Sequence, residues 1–441
     1  MKIKTHLSFT SLRKTLSSHC MKIEDPRQTK KVKYRLHDAI LSGFACMYFQ
    51  KPSLLSFQRE MESRIHSSNM KTLMGVHKIP EDDTLRTILD FVDSQEFRPV
   101  FKELISKLQR GKQLESYRVL GRFYYIPMDG MTFFSSRKIH CDRCLEYRHS
   151  EEEPSCRHQA LQAAIVCPGI KQVFPLMPEP IVKQDGVTKN DCEINAAKRF
   201  LQQQKVDFPQ LPILYGGDGL YSKQPLIQDI LGQGNHYLFV AKPKDHKYLF
   251  EWARELEPLS RYEYQDHKGR THLYEWVNQV PLNAQETSIE TNLLRYSLFT
   301  EKNGKKKCTY QNTWVTDLPV SLENAQELVA CGRARWKIEN ECFNTLKNQG
   351  YSLEHNYGHG ELHLCNNFYI LTLLAFFFHQ ILERTDLLYQ TVRKKLVTLY
   401  GFWENIRVTV NRFLFQTWEE LLEFIFKPPE LAFQEGRVVE I

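Results

Sequence analysis

At 441 residues the chain is longer than one hydrophobic core usually grows, so two or three structural units are expected. Hydrophobic residues make up 42% and charged residues 25%, with 27 Phe and 20 Tyr, a composition that excludes a disordered or fibrous chain. The net charge of +7 resides at the N-terminal end, and eleven cysteines without regular pairing exclude a disulfide scaffold and point to a reducing compartment.

In the first 40 residues Lys2, Lys4, Arg13, Lys14, Lys22, Arg27, Lys30, Lys31, Lys33 and Arg35 face only Glu24, Asp25 and Asp38. A basic end on a near-neutral body suits a phosphate-backbone partner, although a solvated basic tail has the same composition. Met1–Cys20 has no continuous apolar run, so no secretory signal is expected. From about Lys31 to Val119 apolar residues recur at helical spacing, through Leu36, Ile40, Leu41 and Phe44 and again through Leu85, Ile88, Leu89 and Phe91. Pro80 followed by Glu81, Asp82, Asp83 and Thr84 reads as a helix start, with acids where the helix dipole favours them. Residues 1–119 are thus expected to form a basic, all-helical DNA-binding region, with Lys30, Lys31, Lys33 and Arg35 as phosphate contacts; an ordinary helical packing domain is the competing reading.

After Tyr117 the texture changes. Phe123 to Asp129 and Met131 to Phe134 are rich in aromatic and β-branched residues and read as two strands separated by Asp129-Gly130. A strand over Ala160 to Val166, a helix over Asp191 to Gln204, a strand from Leu211 to Tyr215 ending at Gly216-Gly217-Asp218, a helix from Gln224 to Leu231 and a strand over Tyr237 to Ala241 follow. That order predicts a mixed α/β sheet over 120–260. Between 261 and 320 strand-like segments return, at His272 to Trp276, Leu294 to Phe299 and Thr309 to Val315, and read as a β insertion. Helices resume from Leu322 and run to about Phe426, divided into a segment at 321–360 and a C-terminal region at 361–441, with Pro428-Pro429 opening a tail. Within them Leu362 to Leu382 has no Asp, Glu, Lys or Arg, but its mostly apolar run, Phe368 to Phe378, suits a buried helix and not a membrane span.

Asp129 and Asp218 each fall at a predicted strand end before a Gly, where a sharp turn leaves the carboxylate free. Hard oxygen ligands from separate elements are what Mg²⁺ takes, the remaining positions going to water and substrate phosphate. Each Asp-Gly taken singly also reads as an ordinary turn. In Gly332 to Lys347, a helix candidate, Arg335, Glu339 and Lys347 share about a third of the circumference, whereas Glu341 points about 200° from Glu339 and is placed to pair with Lys337. A surface stripe of ion pairs is the plain alternative.

Arg335-Trp336-x-Ile338-Glu339, with Phe343 and Leu346-Lys347 behind it, resembles the glutamate-helix signature of insertion-sequence transposases. Lys242 to His246 and Asn348 to His359 resemble one unclassified subgroup of that class, so the likeness spans roughly Phe123 to Leu364. The resemblance implies an α/β ribonuclease-H-like catalytic core with a β-strand insertion before the Glu. It implies a catalytic and metal-binding triad of Asp129, Asp218 and Glu339 holding two Mg²⁺ or Mn²⁺ ions. The better-described relatives carry Tyr-x2-Arg-x3-Glu-x6-Lys; here Gly332 stands at the Tyr position and Lys347 falls one residue late, leaving Arg333, Arg335 and Lys347 as DNA-contacting cations. The implied partners are double-stranded DNA, as terminal inverted repeats and as target, and a second copy of the chain assembled on it. No membrane is involved, and the expected location is the cytoplasm, at the nucleoid. The implied reaction is phosphodiester hydrolysis at the transposon end followed by attack of the freed 3′-hydroxyl on target DNA. A structure-selective nuclease with the same core and a catalytically silent DNA-binding descendant are the alternatives.

Cys141-x2-Cys144 has the first spacing of a zinc knuckle, and His149, Cys156 and His158 could supply two further ligands to a structural Zn²⁺. A reduced loop without metal is the competing reading, because Cys156-x-His158 is tighter than usual zinc spacing. His355-x3-His359 has the spacing of a helical zinc pair, but Gly358 disfavours a helix and no Glu follows the first His, so it is set aside. Glu193, at the predicted start of a helix, is an outside candidate for the acidic site.

Overall fold

The structure, a computed structural model, describes residues 5–28, 32–61, 63–148, 154–183, 192–256, 259–302, 305–429, 431–434 and 437–440. Its centre is one large mixed sheet. In spatial order the strands are Leu145–Tyr147, Ser155–Ile165, Phe123–Ser136, Ile213–Gly217, His236–Val240, Lys305–Thr316, Glu290–Lys302, Thr271–Pro281 and Ser260–Gln265. The Phe123–Ser136, Ile213–Gly217 and His236–Val240 strands pair in parallel, and the other pairs along this order are antiparallel. Parallel strands covered on both faces read as continuous apolar runs, and Phe123 to Met128 are buried without alternation. The β insertion is a meander of four strands that extends the same sheet, since Trp314 pairs with Val240.

Asp129-Gly130 does not separate two strands. A single strand, Phe123–Ser136, runs through both residues, paired with Ser155–Ile165 so that Asp129 faces Gln162. Gly130 is not a turn residue here: a Cβ at this position would run into the Glu193 carboxylate, so the glycine gives room to a neighbour from a distant helix.

The helices at the two ends of the chain pack together around Leu364–Thr385. By length and composition that helix could cross a membrane, but Phe368 to Phe378 are all buried inside the protein. Leu36–Tyr48 and Asp82–Asp90 lie against it, and its buried Asn367 is satisfied by donating to the carbonyls of Leu89 and Val92 while accepting from Ser94. A further helix, Phe9–Cys20, lies ahead of the stretch in which helical spacing is legible. It buries Phe9, Leu12 and Leu16, and the Phe9 ring packs in tilted contact 5.1 Å from Tyr48 and 4.7 Å from Trp418. Asn69, donating to the carbonyls of Val410 and Phe413 at 2.7 Å each, ties the two ends again.

Candidate active site

Parallel pairing sets the two aspartates beside each other. Pro127 pairs with Gly216, and Asp129 and Asp218 each lie two residues further on, where the Ile213–Gly217 strand stops. Beyond that end the Asp218 carboxylate accepts the Leu220 N–H at 2.8 Å, which fixes the turn that follows.

Glu339 arrives from a helix lying on the sheet. Ala325–Ala334 is α-helical, Ile338–Phe343 is a π turn, and Asn344–Asn348 resumes the α-helix. Gly332 lets this helix seat closely, because a Cβ there would collide with the Trp314 indole. That contact explains why glycine, and no tyrosine, stands at this position. Arg335 joins the acids: its Nη1 lies 2.7 Å from Glu339 Oε1 and 3.2 Å from Asp129 Oδ2, with the guanidinium side chain only 10% exposed. The Asp129 carboxyl is pushed up to about 7 by burial, with Glu193, Glu339 and Asp218 adding to the effect against Arg335.

Glu193, the first residue of Glu193–Asp207, is the fourth acid of this cluster. Its carboxylate abuts Gly130 and accepts a hydrogen bond from the Tyr221 hydroxyl. Burial raises its pKa too, only partly offset by Tyr221. Four neighbouring carboxylates, two of them paired with Arg335, with burial opposing ionisation, make a donor set suited to hard divalent cations, which would supply the missing positive charge.

Other expected placements need correction. Lys347, beyond the π turn, pairs with Glu354 at 2.7 Å. Lys337 donates to the Ile170 carbonyl at 2.8 Å, and the expected pairing of Glu341 with Lys337 is not what holds either side chain. Arg333 is exposed and lies over the rings of Tyr310 and Tyr296, at 4.9 and 5.7 Å, on the insertion side of the helix. Among the N-terminal cations Lys33 sits 3.6 Å from Glu81 and Arg35 is exposed, while Lys30 and Lys31 lie outside the described residues.

Cys141, Cys144 and His158 come together as expected, but Cys156 does not join them. The Cys156 sulfur is not among the donor atoms that gather within 4.8 Å of one another. His359, which local spacing had set aside, takes that place, and His149 lies outside the described residues.

A mixed sheet flanked by helices, presenting clustered acids from two strand positions and a helix, is the layout of enzymes that break and rejoin phosphodiesters with divalent metal ions. The family model described as "Transposase DDE domain" matches residues 157–377, and one described as "DDE_Tnp_1-associated" matches residues 17–105. The chain belongs to the DDE-domain transposases, and its activity is that of a DNA transposase. The matched stretch contains Asp218 and Glu339 and begins after Asp129. Membership implies divalent metal ions. No curated protein matches the sequence. A solved structure of piggyBac transposase in a synaptic complex with hairpin DNA is similar over 97% of this chain and 82% of that one, at 10% identity and a TM-score of 0.42, too loose a likeness to carry an argument.

Proposed function

We propose that Asp129, Asp218 and Glu339 form the catalytic triad of this transposase on a ribonuclease-H-like core with a β insertion, acting on double-stranded transposon ends and target DNA. The observation that carries this reading is Arg335, which gathers Asp129 from the sheet and Glu339 from the helix at one nitrogen, beside Asp218. The three carboxylates would hold two Mg²⁺ or Mn²⁺ ions, which when bound activate the attacking oxygen and stabilise the leaving one. Arg335 orients two of the three acids before any metal arrives and offsets part of their mutual repulsion. Tyr221 holds Glu193 at the edge of the cluster, where the acid stands as a reserve ligand or proton acceptor. In-line displacement at phosphorus needs no covalent protein intermediate, so hydrolysis and strand transfer can use the same acids in turn.

The basic N-terminal region, including Lys30, Lys31, Lys33 and Arg35, supplies phosphate contacts, with Arg333, Arg335 and Lys347 as cations of the glutamate helix. A pair of chains on DNA, at the nucleoid, is the working assembly in this reading. The test is Mg²⁺-dependent cleavage of DNA carrying the ends that flank the gene, followed by joining to a target plasmid. Asp129→Asn and Asp218→Asn are expected to bind ends and not cut them. A parent protein that cuts but never joins would favour the structure-selective nuclease, and one that binds without cutting would favour the silent descendant.

A further inference from the structure

Away from the acids, four side chains from three distant stretches point at one spot. Cys141 and Cys144 lie in the loop after the Asp129 strand, His158 is on the neighbouring strand Ser155–Ile165, and His359 is in the connection between the glutamate helix and Leu364–Thr385. Three of them are buried and Cys141 is half-buried. Their donor atoms all lie within 4.8 Å of one another.

The separations test the chemistry. A tetrahedral zinc with Zn–S of about 2.3 Å and Zn–N of about 2.0–2.1 Å requires donor separations of about 3.8 Å between sulfurs, about 3.6 Å from sulfur to nitrogen and about 3.3 Å between nitrogens. Here the sulfurs are 4.0 Å apart. Sulfur to nitrogen is 3.6 Å for Cys141–His158 and 3.4 Å for both Cys144–His158 and Cys144–His359. The two imidazole nitrogens are 3.0 Å apart. These five separations fall within a few tenths of an ångström of the tetrahedral values, and the sixth pair, Cys141 and His359, lies within 4.8 Å. Hydrogen bonds alone do not satisfy this group, because His158 Nε2 has at most one proton and faces three partners.

The surroundings prepare the donors. His359 Nδ1 lies 2.7 Å from the Gly360 carbonyl, so the proton sits on Nδ1 and Nε2 presents its lone pair to the cluster, the usual outer contact of a metal-bound histidine. Gly358 and Gly360, both at positive φ, flank His359, and Asp90 accepts the N–H groups of Glu361, Leu362, His363 and Leu364 to hold the same loop from the other side.

We propose that Cys141, Cys144, His158 and His359 form a closed structural zinc site. Binding releases the two thiol protons and changes no oxidation state. With four protein ligands it has no open position for substrate. Its role is mechanical: it clips the connection that follows the Glu339 helix onto the strands that carry and adjoin Asp129, and so fixes the two halves of the acidic cluster relative to each other.

Zinc analysis and X-ray absorption at the zinc edge on the purified full-length protein test this. The expected result is about one zinc per chain with two sulfurs at about 2.3 Å and two nitrogens at about 2.0–2.1 Å. His359→Ala is expected to lose zinc to a chelator at least about tenfold faster than the parent, and Cys156→Ser at the parental rate. A parent free of zinc after expression in zinc-supplemented medium overturns the proposal, as does a shell of three sulfurs or one of oxygens. A Cys156→Ser protein that loses zinc while His359→Ala keeps it overturns the ligand set. The absorption spectrum needs only the parent, so the outcome stands even if a variant does not fold.

Discussion

Replacing Asp129 by Asn is expected to stabilise the metal-free protein above neutral pH while abolishing its cleavage. In the folded chain burial, reinforced by Glu193, Glu339 and Asp218 against Arg335, pushes this carboxyl from its ordinary 3.8 to about 7. Between those values the folded state keeps a proton that the unfolded chain has released, so the stability of the parent falls as pH rises through that window. Above it the ionised carboxylate opposes folding by up to about 4 kcal/mol. The side chain is 22% exposed, and the amide also gives up the ion pair with Arg335, so a net gain of roughly 2 kcal/mol is the expectation. For a chain of this length unfolding entropy is about 0.9 kcal/mol/K, which converts that gain to a melting temperature higher by about 2 °C. Thermal melts of parent and variant in excess chelator, at about pH 8.5 and about pH 4, measure it; the gain belongs to the first condition and vanishes in the second. Adding Mn²⁺ at the higher pH should raise the melting temperature of the parent more than that of the variant. A variant that melts below the parent at about pH 8.5, or gains equally at both values, refutes the electrostatic account of the site.

Three further outcomes follow from the geometry. Glu339→Gln is expected to lower Mg²⁺-dependent cleavage at least about 1000-fold with end binding intact, whereas Glu341→Gln, outside the Arg335 contacts, stays within about threefold of the parent; a cleavage-competent Glu339→Gln protein would move the third carboxylate to Glu341 or Glu193. Arg335→Gln removes the group that holds the Asp129 pKa down, so the acid limb of the pH–rate profile moves to higher pH, and an unmoved limb argues against their coupling. Substituting Lys30, Lys31, Lys33 and Arg35 together by Ala is expected to reduce the salt slope of end binding by about 0.9 for each cation that meets a phosphate; an unchanged slope removes this segment from the DNA interface.

Legibility in the sequence followed the range of the interactions. Asp218 was readable because an apolar run ending in Gly216-Gly217 marks a strand end locally, and the chain does end its strand there. Asp129 was readable as an acid on a strand, but its strand was broken too early, since Asp-Gly is a turn signal unless a distant side chain needs the space, as Glu193 does. The helix Phe9–Cys20 was hidden because Phe9, Leu12 and Leu16 are spaced among Ser, Thr, Arg and Lys, and the helix gains its stability from Tyr48 and Trp418. Arg335 and Glu339 were placed on one face by their spacing of four, and they pair at 2.7 Å; the partner of Lys347, Glu354, was not foreseen. His359 was invisible as a partner of Cys141 because nothing local records a contact between segments so far apart in the chain.

The packing of Phe9 on Trp418 and the hold of Asn69 on Val410 and Phe413 have a consequence for synthesis. The basic helical region is synthesised well before the surfaces that complete its packing. A nascent or prematurely stopped chain therefore lacks the other half of this core, and its exposed Phe9 and Tyr48 make it a substrate for chaperones and proteases. Fragments that keep only the basic N-terminal region are therefore expected not to accumulate in folded form.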